Sequence, residues 1–144
     1  MDLPLSVVIA DDSAVIRERL VALVSEVAGV FVAGETVNVS GTVELVRRLR
    51  PAVLVLDLSM PGGSGLDVLR RMREEQLQAV VIVLTNYSFP EYEKEAVQQG
   101  ASAFLNKSTQ FLKVAEILRD LVRQAQAAAV GGEDPGAGAI RSNP

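Results

Sequence analysis

Short apolar runs alternate with amphipathic stretches along this chain five times over. Residues 5–10, 30–35, 53–57, 80–85 and 103–106 are the short, largely apolar runs and predict strands. Three of these runs are almost unbroken aliphatic segments, the composition of parallel strands covered on both faces. Between the first two, Ile16, Leu20, Leu23, Val24 and Val27 fall on one stripe of a helix, and Arg17, Glu18 and Arg19 fall off it. A second helix is predicted over residues 40–49, stopped before Pro51. A third follows Gly65, with Leu66, Leu69 and Met72 on one side. A fourth follows Pro90 and ends near Gly100; it is polar apart from Tyr92, Ala96 and Val97, which predicts weak anchoring. The fifth turns Phe111, Val114, Ala115, Leu118, Leu121 and Val122 toward a core.

Strand–helix units repeated in this way predict an α/β domain, a parallel sheet with helices on both faces. A length of 144 residues suits one domain, expected over residues 1–130. The composition then shifts to a Gly/Pro-rich stretch, residues 131–144, expected to be a flexible tail. Apolar residues at 49% against 22% charged ones exclude a wholly disordered chain. A net charge of −4 with no basic run argues against nucleic acid as a partner. The longest apolar runs fall far short of the roughly 20 residues a membrane helix needs. Met1-Asp2-Leu3-Pro4 also lacks the look of a signal peptide, so a cytoplasmic protein without membrane contact is expected.

Two absences prune the chemistry. The chain has no cysteine, which excludes disulfides, thiolate nucleophiles and zinc–thiolate sites. It has no histidine either, which excludes imidazole bases and His-ligated metals. Carboxylates, hydroxyls, amides, Lys and Arg remain, and hard oxygen ligands suit Mg²⁺ better than a transition metal.

In open α/β sheets the site lies beyond the carboxyl ends of the strands. The first strand ends in Asp11-Asp12-Ser13, the third in Asp57, the fourth in Thr85-Asn86 and the fifth in Asn106-Lys107-Ser108. The second ends in Thr36, which adds nothing obvious. Three carboxylates in one crevice repel one another unless a cation sits among them, and Mg²⁺ is the natural choice. A carboxylate can also act as a nucleophile toward phosphorus, with a lysine and a hydroxyl to stabilise the transferring group. Taken singly, each residue has a plainer role: Asp11 and Asp12 as helix caps, Lys107 as a solvated charge, Phe104 as core.

Together, Val8-Ile9-Ala10-Asp11-Asp12-Ser13, Leu54-Val55-Leu56-Asp57-Leu58-Ser59-Met60-Pro61, Gly65-Leu66, Val83-Leu84-Thr85-Asn86 and Gly100-Ala101-Ser102-Ala103-Phe104-Leu105-Asn106-Lys107 resemble the receiver domain of two-component response regulators. The resemblance covers roughly residues 5–125. It implies a doubly wound (βα)5 flavodoxin-like fold with strand order 2-1-3-4-5. It also implies that Asp57 is the phosphoacceptor, receiving its phosphoryl group from a histidine kinase or a histidine phosphotransfer protein. Asp12, Asp57 and the backbone carbonyl of Ser59 would hold Mg²⁺, with Asp11 acting through a water. Lys107 would pair with Asp57 and then with the phosphoryl oxygens, while Thr85 and Phe104 would move together as the switch. Ser59 and Tyr87 would tune the phosphoryl lifetime, and Ala14 and Val15 would lie where the histidine donor docks. Output would pass through the fourth helix, fifth strand and fifth helix, with Phe89 and Tyr92 nearby, to a downstream protein or a second copy. Such a domain assists its own phosphorylation and dephosphorylation and is not an ordinary enzyme.

Ser108 stands where many receivers carry a cis-proline, so a trans bond is expected there, with Ser108 and Thr109 as caps of the last helix. Asn86 replaces a small residue often found after the switch threonine. A receiver-like interaction module that takes no phosphate is the alternative, and the intact Asp12, Asp57, Thr85 and Lys107 set counts against it. A phosphatase of the haloacid-dehalogenase type would need a second Asp two residues after the nucleophile, and position 59 is serine.

Overall fold

The computed structural model describes residues 4–132, and the five predicted strand–helix pairs are all present among them. In chain order they are β1 (Leu5–Ala10), α1 (Ala14–Ser25), β2 (Val30–Thr36), α2 (Val39–Leu49), β3 (Val53–Leu56), α3 (Gly65–Glu74), β6 (Val80–Thr85), α4 (Pro90–Gln98), β7 (Ala103–Asn106) and α5 (Lys113–Gly132). Between β3 and α3 lies a small antiparallel hairpin of β4 (Ser59–Met60) and β5 (Gly63–Ser64). The main sheet is parallel, in the order β2-β1-β3-β6-β7. With the hairpin set aside, this is the predicted 2-1-3-4-5 order.

The unbroken aliphatic strands have a direct physical cause, since successive side chains point to opposite faces and both faces are covered. Val7 and Ile9 of β1 join Val53, Val55, Ile82 and Leu84 in the core shared with α1 and α5. Val8 and Ala10 join Leu54, Leu56, Val81 and Val83 in the core shared with α2, α3 and α4. Fully burying each Val, Leu or Ile side chain among them contributes about 1.5–3 kcal/mol. The fourth helix is as poorly anchored as its sequence predicts: among its residues only Ala96 is buried, and Val97 and Tyr92 are exposed.

Several boundaries differ from expectation. β3 stops at Leu56, one residue before Asp57, so Asp57 opens the following loop instead of closing the strand. β2 runs on to Thr36. α2 starts at Val39 because the Asn38 side chain accepts from Gly41 N–H and caps it there. α5 continues through Gly132, two residues past the expected domain end, and the remainder of the expected tail, residues 133–144, lies outside the described residues.

Candidate functional site

β1 leaves the sheet into Asp11-Asp12-Ser13, where a chain of hydrogen bonds sets the loop. Asp11 N–H donates to the Thr36 carbonyl at 3.1 Å, and Asp11 Oδ1 accepts from Ser13 N–H at 2.8 Å. Ser13 in turn caps α1, its Oγ accepting from Ile16 N–H at 3.3 Å. β3 delivers Asp57 beside this loop, and Asp57 N–H donates to the Ala10 carbonyl at 3.0 Å. One oxygen each from Asp11, Asp12 and Asp57 lies within 4.8 Å of the others. Asp11 and Asp57 are buried, and Asp12 is exposed.

Lys107 enters from the end of β7, its N–H donating to the Thr85 carbonyl at 2.9 Å. Its ammonium lies 2.7 Å from Asp11 Oδ2 and 3.2 Å from Asp57 Oδ2. The expected pairing with Asp57 is therefore present, with a shorter and unforeseen one to Asp11. The expectation that Ser108 and Thr109 cap the last helix is overturned, since α5 starts only at Lys113. Asn106 orders this loop instead: its Oδ1 accepts from Ser108 N–H at 2.8 Å and from Thr109 N–H at 3.0 Å, an Asx turn. Asn106 Nδ2 donates to Ser88 Oγ at 3.0 Å, and Ser108 Oγ donates to Asn86 Oδ1 at 3.1 Å. The two departures at positions 86 and 108 thus meet each other across the site's rim. The bond between Lys107 and Ser108 is trans, as expected.

Burial pushes the Asp57 carboxyl above its ordinary value, and the Asp11 charge adds to the effect. The Lys107 charge and the Ser59 N–H pull it back without cancelling the rise. Burial also works to lower Lys107, but its hydrogen bond to Asp11 and the Asp57 charge outweigh this and raise it. Two buried carboxylates share one ammonium, and a third carboxylate faces solvent beside them. Such a set of hard oxygens, short of positive charge, fits a small divalent cation such as Mg²⁺.

Thr85 ends β6 fully buried, its Oγ1 accepting from Tyr87 N–H at 3.1 Å. Phe104 is half-buried on the neighbouring strand, in register with Val83, and packs against the core under α4. Ser59 is exposed and pairs with Ser64 across the hairpin. Tyr87 and Tyr92 line a groove of about 380 Å³ with Leu58, Ser59, Ser64 and Leu66. Phe89 and Tyr92 meet edge to face at 5.9 Å, and both are exposed. Ala14 and Val15 are also exposed, at the start of α1 beside the acidic loop.

Sequence reasoning gave no site role to two residues that shape the site. A Cβ on Gly65 would collide with the Asp57 carbonyl oxygen and reach 2.9 Å from Leu58 Cα, so only glycine lets α3 start this close to the phosphoacceptor candidate's backbone. Arg17 Nη1 donates to the Asp11 carbonyl at 2.8 Å, although its sequence signal was no more than a place off the apolar stripe. The hairpin was also unforeseen; Pro61-Gly62-Gly63 was its available signal, with Gly62 and Gly63 at φ +89° and +134°.

A family model described as the response regulator receiver domain matches residues 7–131. The nitrate/nitrite response regulator protein NarL of Escherichia coli (strain K12) is 32% identical over 104 residues, covering 72% of this chain and 48% of that protein. The "Probable transcriptional regulatory protein NarL" of Mycobacterium tuberculosis (strain ATCC 25618 / H37Rv) is 32% identical over 117 residues, 81% of this chain and 54% of that protein. The chain thus spans about half the length of the curated relatives it matches. The solved signal receiver domain of the M. tuberculosis NarL superposes with a TM-score of 0.77 at 30% identity, over 84% of this chain and 98% of that one.

Proposed function

The chain belongs to the response regulator receiver domain family, and from that premise we propose that it accepts a phosphoryl group on Asp57 from a histidine kinase or histidine phosphotransfer protein. The observation that carries this reading is the buried Asp57 carboxylate within reach of both the Lys107 ammonium and the Asp11–Asp12 pair. An Asp57 oxygen forms the new bond to phosphorus as the bond from phosphorus to the donor's imidazole nitrogen breaks. Lys107 follows the charge, passing from the carboxylates to the phosphoryl oxygens. Thr85 gives up its contact with the Tyr87 N–H and turns its hydroxyl toward the phosphoryl group, and Phe104 moves inward with it.

Asp12, Asp57 and the Ser59 carbonyl would hold Mg²⁺, with Asp11 acting through a water. When bound, the ion neutralises charge on the transferring oxygens. Ser59 and Tyr87, at the rim, set access of water to the acyl phosphate and hence its lifetime. Ala14 and Val15 offer an exposed apolar contact to the donor. The α4, β7 and α5 face, with Phe89 and Tyr92 beside it, carries the signal to a protein target or a second copy. The role is that of a phosphoacceptor that assists its own reactions, not of an enzyme turning over free substrate. Among the described residues no helix is long and apolar enough to cross a membrane. The match reaches only 54% of a relative named as a transcriptional regulator, and only the receiver part of that relative's role is carried over here.

The test is incubation with acetyl phosphate, with and without Mg²⁺, read by intact mass beside Asp57→Asn, together with beryllofluoride binding. A single Mg²⁺-dependent adduct, labile in base and absent from the variant, is expected. If neither an adduct nor beryllofluoride binding is seen, the reading fails and the interaction-module alternative takes its place.

A further inference from the structure

Asp12 is the member of the acidic trio that faces solvent, and among the described residues its carboxylate has no hydrogen bond or ion pair. Its placement comes from its neighbours. On the Asp11 side, the N–H, Oδ1 and Oδ2 are held by the Thr36 carbonyl, Ser13 N–H and Lys107. The Asp11 carbonyl, which sets the plane of the peptide leading into Asp12, accepts from Arg17 Nη1 at 2.8 Å. Arg17 Nε pairs with Glu35 Oε1 near the end of β2 at 3.2 Å, and Arg17 N–H donates to the Ser13 carbonyl at 3.0 Å. The guanidinium is thus fixed at both ends of its fork, with the side chain only 20% exposed. A lysine could supply the charge but not both directed bonds.

On the reading that this trio holds Mg²⁺, we propose that Arg17 is a positioning residue for the metal site. By clamping the Asp11 carbonyl against Glu35, it fixes the peptide from which Asp12 reaches the ion. Charge alone makes the opposite forecast. A guanidinium near three carboxylates repels a divalent cation, so its removal would tighten binding if field were all that mattered. The sign of the effect therefore separates positioning from simple electrostatics, and a purely structural tie would change stability without changing affinity.

The experiment titrates Mg²⁺ alone, without phosphodonor, into the full chain as wild type, Arg17→Met and Arg17→Lys. Affinity is read by calorimetry and by the Mg²⁺-dependent rise in Tm, and stability without the ion by urea titration. Both variants are expected to bind Mg²⁺ about tenfold more weakly, in line with the loss of an outer-shell support to a ligand, and lysine does not rescue. Folded Arg17→Met with equal or tighter affinity overturns the inference and leaves the proposed function standing. Should Arg17→Met fail to fold, Glu35→Gln loosens the far end of the clamp. A smaller loss in the same direction is expected there, and wild-type affinity overturns the inference. A wild-type chain that shows no response to Mg²⁺ overturns the inference and the metal reading beneath it together.

Discussion

The Lys107 ammonium sits closer to Asp11, at 2.7 Å, than to Asp57, at 3.2 Å, and so serves as the internal counter-ion of two buried carboxylates at once. The arrangement is one positive charge short, and the raised Asp57 carboxyl registers that deficit, with burial as its first cause. The two partners should therefore respond in opposite directions when removed. Asp57→Asn deletes an under-compensated buried charge and leaves Lys107 its shorter bond to Asp11, so a gain of about 1 kcal/mol is expected at neutral pH without Mg²⁺. Lys107→Met leaves the carboxylates facing one another and should cost about 3 kcal/mol under the same conditions, partly restored by Mg²⁺. Urea titrations of both variants decide the matter, and an Asp57→Asn chain less stable than wild type would refute the account.

Gly65 is expected to tolerate no side chain. The missing Cβ would meet two backbone atoms, the Asp57 carbonyl oxygen and Leu58 Cα, and neither can step aside as a flexible side chain could. Gly65 N–H also donates to the Leu58 carbonyl at 2.9 Å, which pins α3 to this segment. Gly65→Ala should lose about 2 kcal/mol of stability through overpacking, and should slow adduct formation at Asp57 by displacing its backbone. A melt and a mass time-course together test this. A variant with wild-type values in both would show that the contact has slack.

Much of the fold was legible because its signals are local and repeated. Unbroken aliphatic runs such as residues 53–56 and 80–84 report burial on both faces, and the strand ends then place Asp11, Asp57, Thr85 and Lys107 along one edge. What escaped depended on shorter or longer range than a run of residues. Two-residue strands leave no periodic trace, so the hairpin of Ser59–Met60 with Gly63–Ser64 showed only as a glycine pair. Ser108 and Thr109 looked like helix caps because propensity cannot tell that Asn106 has already taken their N–H groups into a turn. The Lys107–Asp11 pair and the Arg17–Asp11 bond join residues whose proximity exists only once the sheet is assembled.

The rim of the site offers a test of coupling between its two loops. Asn106 Nδ2 donates to Ser88 Oγ, and Ser108 Oγ donates to Asn86 Oδ1, so the loop bearing Lys107 is tied to the loop that follows Thr85. Both bonds are exposed and should be modest. A double-mutant cycle on Asn86→Ala and Ser108→Ala is expected to give a coupling of about 0.5 kcal/mol in urea titrations. Additive single effects would show that the two loops move independently.

The start of α3 gives the clearest dependence on pH. Ser64 Oγ accepts from Leu66 N–H at 3.1 Å, and Asp67 Oδ2 accepts from Ser64 N–H at 2.8 Å, a reciprocal capping box. Asp67 Oδ1 also accepts from Arg70 Nη2 at 2.6 Å. The Ser64 N–H first, and then the Arg70 hydrogen bond, hold the Asp67 carboxyl below its ordinary value. A carboxyl lowered by folding adds stability that is complete above its unfolded-state value of 3.8 and is lost as pH falls through the lower folded-state value. Asp67→Asn keeps an acceptor for Ser64 but gives up the charge, and should cost about 0.5–1 kcal/mol at pH 7. The gap between variant and wild type should hold down to about pH 5 and narrow progressively below pH 4. Urea midpoints for both proteins across that range measure it. A gap unchanged at low pH would mean that the carboxylate's charge contributes nothing to the cap.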